Sequence, residues 1–154
     1  MSLLKKILFT VLVVSIVIQF IQPAINIDGQ LLQTDITKQI SVPSDVQSIL
    51  KASCYDSHSN NTKYPWYANI QPLGWILAKH IKEGKADLNF DDFSNYITRR
   101  QSSKLKAIAN SVKDGSMPLS SYTLMHSDAK LDDNEKQRII DWALETKDSL
   151  EAQQ

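Results

Sequence analysis

Residues 44–58 read Ser44-Asp45-Val46-Gln47-Ser48-Ile49-Leu50-Lys51-Ala52-Ser53-Cys54-Tyr55-Asp56-Ser57-His58. Ser44 is a favoured helix N-cap, and Val46, Ile49 and Leu50 fall on one face at helical spacing. The stretch predicts a short amphipathic helix running into Cys54, with a histidine four residues beyond. The same period recurs further along the chain. Residues 59–67 form a polar loop ending in an aromatic cluster around Pro65. A second helix is expected from Pro72, with a stripe of Leu73, Ile76, Leu77, His80 and Ile81, stopped by Gly84. Leu88-Asn89-Phe90 leads to a third helix with Phe93, Tyr96 and Ile97 apolar. Leu105, Ile108, Ala109 and Val112 mark another, ended by Gly115, and then comes the loop Ser116-Met117-Pro118-Leu119. The last helix opens on a capping box, Asp132 with Glu135. Its stripe is Ile139, Trp142, Ala143 and Thr146, flanked by Ile140 and Leu144.

Composition agrees with an all-α fold. Of 154 residues, 4 are glycine and 5 are proline, too few for a turn-rich β-sandwich. Hydrophobic residues make up 42% and charged residues 22%, a balance that folds. Seventeen basic and 17 acidic residues cancel, which argues against a nucleic-acid partner. The single cysteine excludes an intrachain disulfide, and it excludes zinc sites built on two or more cysteines.

Lys5 and Lys6 precede the apolar run Ile7 to Gln22, and no charge occurs from Ile7 to Ile27. A basic flank before such a run reads as a secretory signal or an uncleaved signal-anchor. Gln22-Pro23-Ala24 is a poor cleavage site, which favours the anchor. The lysines stay cytoplasmic by the positive-inside rule, so the chain is expected to be single-pass in the cytoplasmic membrane with its domain in the periplasm. The expected division is residues 1–23 as signal-anchor, 24–43 as linker and 44–150 as a domain of four to five short helices. The segment from Leu31 to Val42 is a candidate for a short extended piece.

The chemistry lies in Cys54-Tyr55-Asp56-Ser57-His58. Cys-x-x-Cys-His attaches c-type haem: two thiols add to the haem vinyls and the histidine sits under the iron. Here the second cysteine position is Ser57, whose hydroxyl makes no thioether. Cys54 is then the candidate for a single thioether, and His58 for the proximal iron ligand. Without haem, Cys54 reads as a small buried hydrophobe and His58 as a loop histidine.

The order of elements resembles a class I c-type cytochrome: a helix before the motif, a Met-Pro loop about sixty residues later, and a capped closing helix. In that class a methionine from such a loop binds the far face of the iron, which makes Met117 the distal candidate. Residues 40–147 resemble, more closely, the haem-binding domain family of small, N-terminally anchored, c-type cytochrome-like proteins. The stretches that carry the resemblance include Cys54 to Asn60, Tyr64-Pro65-Trp66-Tyr67, Ile70-Gln71-Pro72 with Trp75, and His80 to Gly84. Leu88-Asn89-Phe90, Met117-Pro118 and Tyr122 to His126 complete it. The family pattern has a second cysteine where this chain has Ser57. The resemblance implies a cytochrome c-like domain that binds haem and transfers electrons to a partner protein, not an enzyme.

Met125, His80 and His126 are rival ligands, and Tyr64, Trp66, Tyr67 and Trp75 are candidates for pocket walls or plain core. Asn60-Asn61-Thr62 is formally a glycosylation sequon. A zinc site of Cys54, His58 and His80 lacks a fourth ligand. Two other functions stay open. One is a haem-based small-ligand sensor or peroxidatic protein, if the distal position is vacant. The other is a haem-free interaction module that kept the fold.

Overall fold

The computed structural model describes residues 2–29 and 32–153. All the regular elements among the described residues are helices, with no strand beyond one isolated bridge between Ile27 and Asn61. Helix α1, Leu3–Val17, continues as a 3-10 turn to Phe20. Leu3–Phe20 is 18 residues of mean hydropathy 2.1 with no buried residue, long and apolar enough to cross a membrane.

Four helices of ten residues or more build the domain. They are α3 (Ser44–Ser53), α5 (Leu73–Asp87), α6 (Thr98–Lys113) and α8 (Asp133–Glu151). Shorter turns fill the gaps: α2 (Ile36–Gln39), α4 (Tyr55–His58) and α7 (Ser120–Met125). The expected apolar stripes of α3, α6 and α8 form the main core, whereas that of α5 does not join it: Leu77 and Ile81 belong to a separate cluster and Leu73 and Ile76 are exposed. Val46 and Leu50 of α3 meet Leu105, Ala109 and Val112 of α6 and Ile139, Trp142 and Ala143 of α8. Phe90 and Phe93 belong to the same core. The capping box is made, with Glu135 N–H donating to Asp132 Oδ1 at 2.8 Å and Asp132 N–H to Glu135 Oε2 at 2.9 Å. Gly115 ends α6 at a φ of +75°, a conformation that favours glycine.

Several expectations need correction. Ser44 is the first residue of α3 rather than its cap; Pro43 holds the cap position. Gly84 does not stop the second helix, which continues to Asp87. The third helix is a 3-10 segment, Phe90–Asn95, that breaks at Tyr96, leaving Ile97 exposed. Tyr96 is held there by its hydroxyl, which accepts the Asn89 N–H at 3.0 Å.

Residues 32–43, within the stretch that reads as a linker, carry Ile36 and Ile40 into the core. Asp35 caps α2 by accepting the Thr37 N–H. Leu31, the expected start of an extended piece, lies outside the described residues. Residues 26–29 are also tied down. Thr62 N–H donates to Asn26 O at 2.9 Å, and Asp28 N–H to Asn60 O at 3.1 Å.

Candidate functional site

The end of α3, the one-turn α4, the second half of α5, and α6 surround a cleft. It consists of two adjoining hollows with about 590 and about 900 Å³ of empty space, both open to solvent. The inner hollow is mostly apolar, with Leu88, Phe90, Ala107, Ile108 and Val112 among its walls. The outer one adds Ser57, His80, Glu83, Gly84, Leu119 and Tyr122. Cys54, His58 and Met117 line both.

Each of the three is placed by local structure. Cys54 N–H donates to Leu50 O at 2.8 Å and closes α3, and Cys54 O accepts from His58 N–H at 3.0 Å. Thiol and imidazole thus sit on one short helical turn. Tyr55 stacks on Phe90 at 4.8 Å and pins that turn to the core. Burial pushes the Cys54 thiol up to about 12.

His58 Nδ1 lies 3.0 Å from the Leu88 carbonyl oxygen. A carbonyl only accepts, so Nδ1 carries the proton and the Nε2 lone pair is left free to bind a metal. This is the tautomer that a metal-ligating histidine needs, and a backbone carbonyl is a usual partner for the other nitrogen. Met117 N–H donates to Ser111 O at 3.0 Å, which returns the loop after α6 to the cleft.

The close packing of α4 on α5 depends on Gly84. A Cβ added there would stand 2.6 Å from the Ser57 carbonyl oxygen. Ser57, at the second cysteine position, therefore lies against a backbone and at the edge of the outer hollow.

The rival ligands are distributed differently. His80 lines the outer hollow, half-buried rather than in the core. His126 does not reach the cleft; it stacks on Tyr122 at 4.2 Å and faces another depression with Asp56 and Lys63. Met125 is exposed and lines neither hollow of the cleft. Tyr64, Trp66, Tyr67 and Trp75 do not wall it either. Tyr67 belongs to a small separate cluster with Leu77 and Ile81, against which Tyr64 packs. Trp66 points to solvent, and Trp75 reaches the end of the apolar leader. The sequon residues are structural ties: Asn61 Oδ1 accepts from Gly29 N–H at 2.7 Å, and Thr62 Oγ1 donates to Asp56 O at 2.6 Å.

Sequence reasoning missed several residues at the cleft. Leu88 acts through its carbonyl, which has no side-chain signature. Lys104 reaches across from α6 to Asp87 at 2.7 Å, and among the described residues it is the one lysine on the lining. Tyr122 donates its hydroxyl to Asp56 Oδ2 at 2.7 Å, and burial beside that carboxylate raises its pKa.

A helical domain whose cleft gathers a thiol, an imidazole with one free nitrogen and a thioether suits a flat, apolar metal macrocycle with axial ligands. The comparison with known families agrees: the model of the haem-binding domain family matches residues 13–145. That span is most of the chain, so the chain belongs to the haem-binding domain family, and haem is the group it binds. No curated protein and no solved structure matches it.

Proposed function

We propose that this protein is a membrane-anchored, cytochrome c-like electron carrier on the periplasmic side of the cytoplasmic membrane. In this reading it holds one haem between His58 and Met117. The observation that carries it is the meeting of Cys54, His58 and Met117 in one cleft, with His58 Nδ1 engaged by Leu88 O and Nε2 free.

Each residue has a separate task. His58 Nε2 would hold the iron. The Met117 thioether would be a second ligand to it; a soft neutral ligand raises the potential relative to a second histidine. Cys54 would attach the group covalently: its S–H would add across one vinyl C=C, with the S–C bond on one carbon and the proton on the other, and no oxidant required. Ser57 leaves the second vinyl unreacted. Haem supplies a one-electron iron couple; the protein supplies ligands, orientation and an apolar wall. With His58 and Met117 both holding the iron there would be no open position for a substrate, which favours electron transfer to a protein partner over catalysis.

The test is expression of the full chain with cytochrome c maturation machinery. A Soret band, haem that stays with the polypeptide through denaturing electrophoresis, and a pyridine haemochrome red-shifted from that of a two-thioether protein are expected. Haem that extracts freely would make Cys54 structural and the attachment b-like. Colourless protein would favour the haem-free interaction module.

A further inference from the structure

The apolar leader is clasped to the domain. Gln71 N–H donates to Gln19 Oε1 at 2.9 Å, and Gln19 Nε2 donates back to Gln71 O at 3.1 Å. Gln71 Nε2 donates to Gln22 Oε1 at 2.8 Å, and the Trp75 indole N–H to Ile21 O at 2.8 Å. The two glutamines at the end of the run thus satisfy their polar groups on the domain, which removes the main cost of placing them in an apolar environment. The leader is fastened at a fixed place, the start of α5.

That place is apolar. No charged residue occurs in residues 64–78, and Lys63 and Lys79 bracket the stretch. Leu73 and Ile76, expected to face the core, are 45% and 50% exposed, because α5 buries Leu77 and Ile81 instead. Trp66 is 76% exposed. Together with Phe20, these side chains are exposed apolar groups of the segments to which the end of the leader is bonded through Asn69, Gln71 and Trp75. Exposed tryptophans at the end of a spanning helix, with lysines just beyond, match the composition of a membrane–water boundary.

We propose that this face, with Trp66, Leu73, Trp75 and Ile76, is seated in the headgroup–acyl boundary of the bilayer that α1 spans. The occupant is lipid. The apolar face belongs to the segments bonded to the end of the lipid-facing helix, and its basic edge suits phosphate headgroups. The haem domain is then held at one orientation on the membrane rather than swinging on a tether. The proposal rests on the reading of α1 as an anchor.

The test uses full-length haem-loaded protein in phosphatidylcholine nanodiscs, labelled with 5-fluorotryptophan. Trp66→Phe, Trp75→Phe and Trp142→Phe assign the three fluorine resonances. Each is recorded with a lipid-borne nitroxide and, separately, with an aqueous gadolinium chelate. The Trp66 and Trp75 signals should be lost with the nitroxide and survive the chelate. The buried Trp142 should respond to neither. Leu73→Glu with Ile76→Glu should reverse the response of Trp66 while leaving Trp142 unchanged. If the protein co-elutes with the nanodiscs but the chelate removes Trp66, the anchor stands and the seated domain is refuted. Silence to both probes means that protein, a second copy or a partner, covers the face, and this also refutes it. Failure to enter nanodiscs overturns the anchor reading and the proposal together.

Discussion

His58 on α4 is joined to Leu88, the residue after α5, by a 3.0 Å contact from Nδ1 to a backbone carbonyl. A ring nitrogen that makes such a bond fixes the ring's orientation, so the free Nε2 is held towards the cleft before any ligand arrives. His58→Ala should therefore remove the low-spin spectrum while leaving haem bound to the polypeptide through Cys54. Absorption spectra and a haem-stained denaturing gel check the two halves of the statement. A low-spin spectrum that survives would transfer the ligand role to His80, which lines the same cleft.

Met117 is tested by a different signal. The weak near-infrared charge-transfer band of oxidised methionine-ligated haem should be present in the unmutated protein and absent in Met117→Ala. Met117→His should lower the midpoint potential, because an imidazole favours the ferrous state less than a thioether does. A band unchanged in Met117→Ala would discard Met117 as the distal ligand.

Ser57 and Gly84 form a pair. Since Ser57 lies at the rim of the outer hollow, Ser57→Cys should acquire the second thioether, and the pyridine haemochrome should move to the blue. Gly84→Ala pushes a methyl to within 2.6 Å of the Ser57 carbonyl oxygen, a contact that forces α4 away from α5. Overpacking of this kind costs about 1–3 kcal/mol, measurable by urea unfolding, and haem attachment should fall with it.

The Cys54 thiol gives a pH signature in the haem-free chain. Burial raises it from 9.0 to about 12, so its thiolate fraction is about a thousandfold smaller than that of an unfolded thiol. Iodoacetamide should modify the native haem-free chain far more slowly than the denatured one. Below 9.0 both states keep the proton and stability does not respond. Between 9.0 and 12 the unfolded chain ionises while the folded one does not, so stability falls as pH rises. Tyr55 and Tyr122, also raised by burial, add to the same trend. Urea titrations across that window should show a smaller fall in Cys54→Ser.

The helices legible in the sequence are those whose ends and faces are set by neighbours in the chain. The Asp132–Glu135 box announces α8, and the spacing of Leu105, Ala109 and Val112 announces α6. Features that depend on distant partners are not legible. Gly84 reads as a helix stop, but its reason is the backbone of Ser57, 27 positions earlier. Leu73 and Ile76 look like core by period and are turned outward at the end of the leader. Within the site, Cys54, His58 and Met117 are visible by residue type and order. The Leu88 carbonyl and the Lys104–Asp87 pair are not, because neither has a local pattern.

Helix α5 begins at the clasp on the leader and ends among the cleft residues His80, Glu83, Gly84 and Asp87. A helix rises about 1.5 Å per residue, so the distance between those two ends is a matter of counting. Four residues inserted after Ile76 would lift the cleft by about 6 Å and turn it by about 40°. In the proposed membrane-seated reading, the height of the cleft above the bilayer would thus be set by a number of helical turns, and a redox partner matched to that height would sense a change of one.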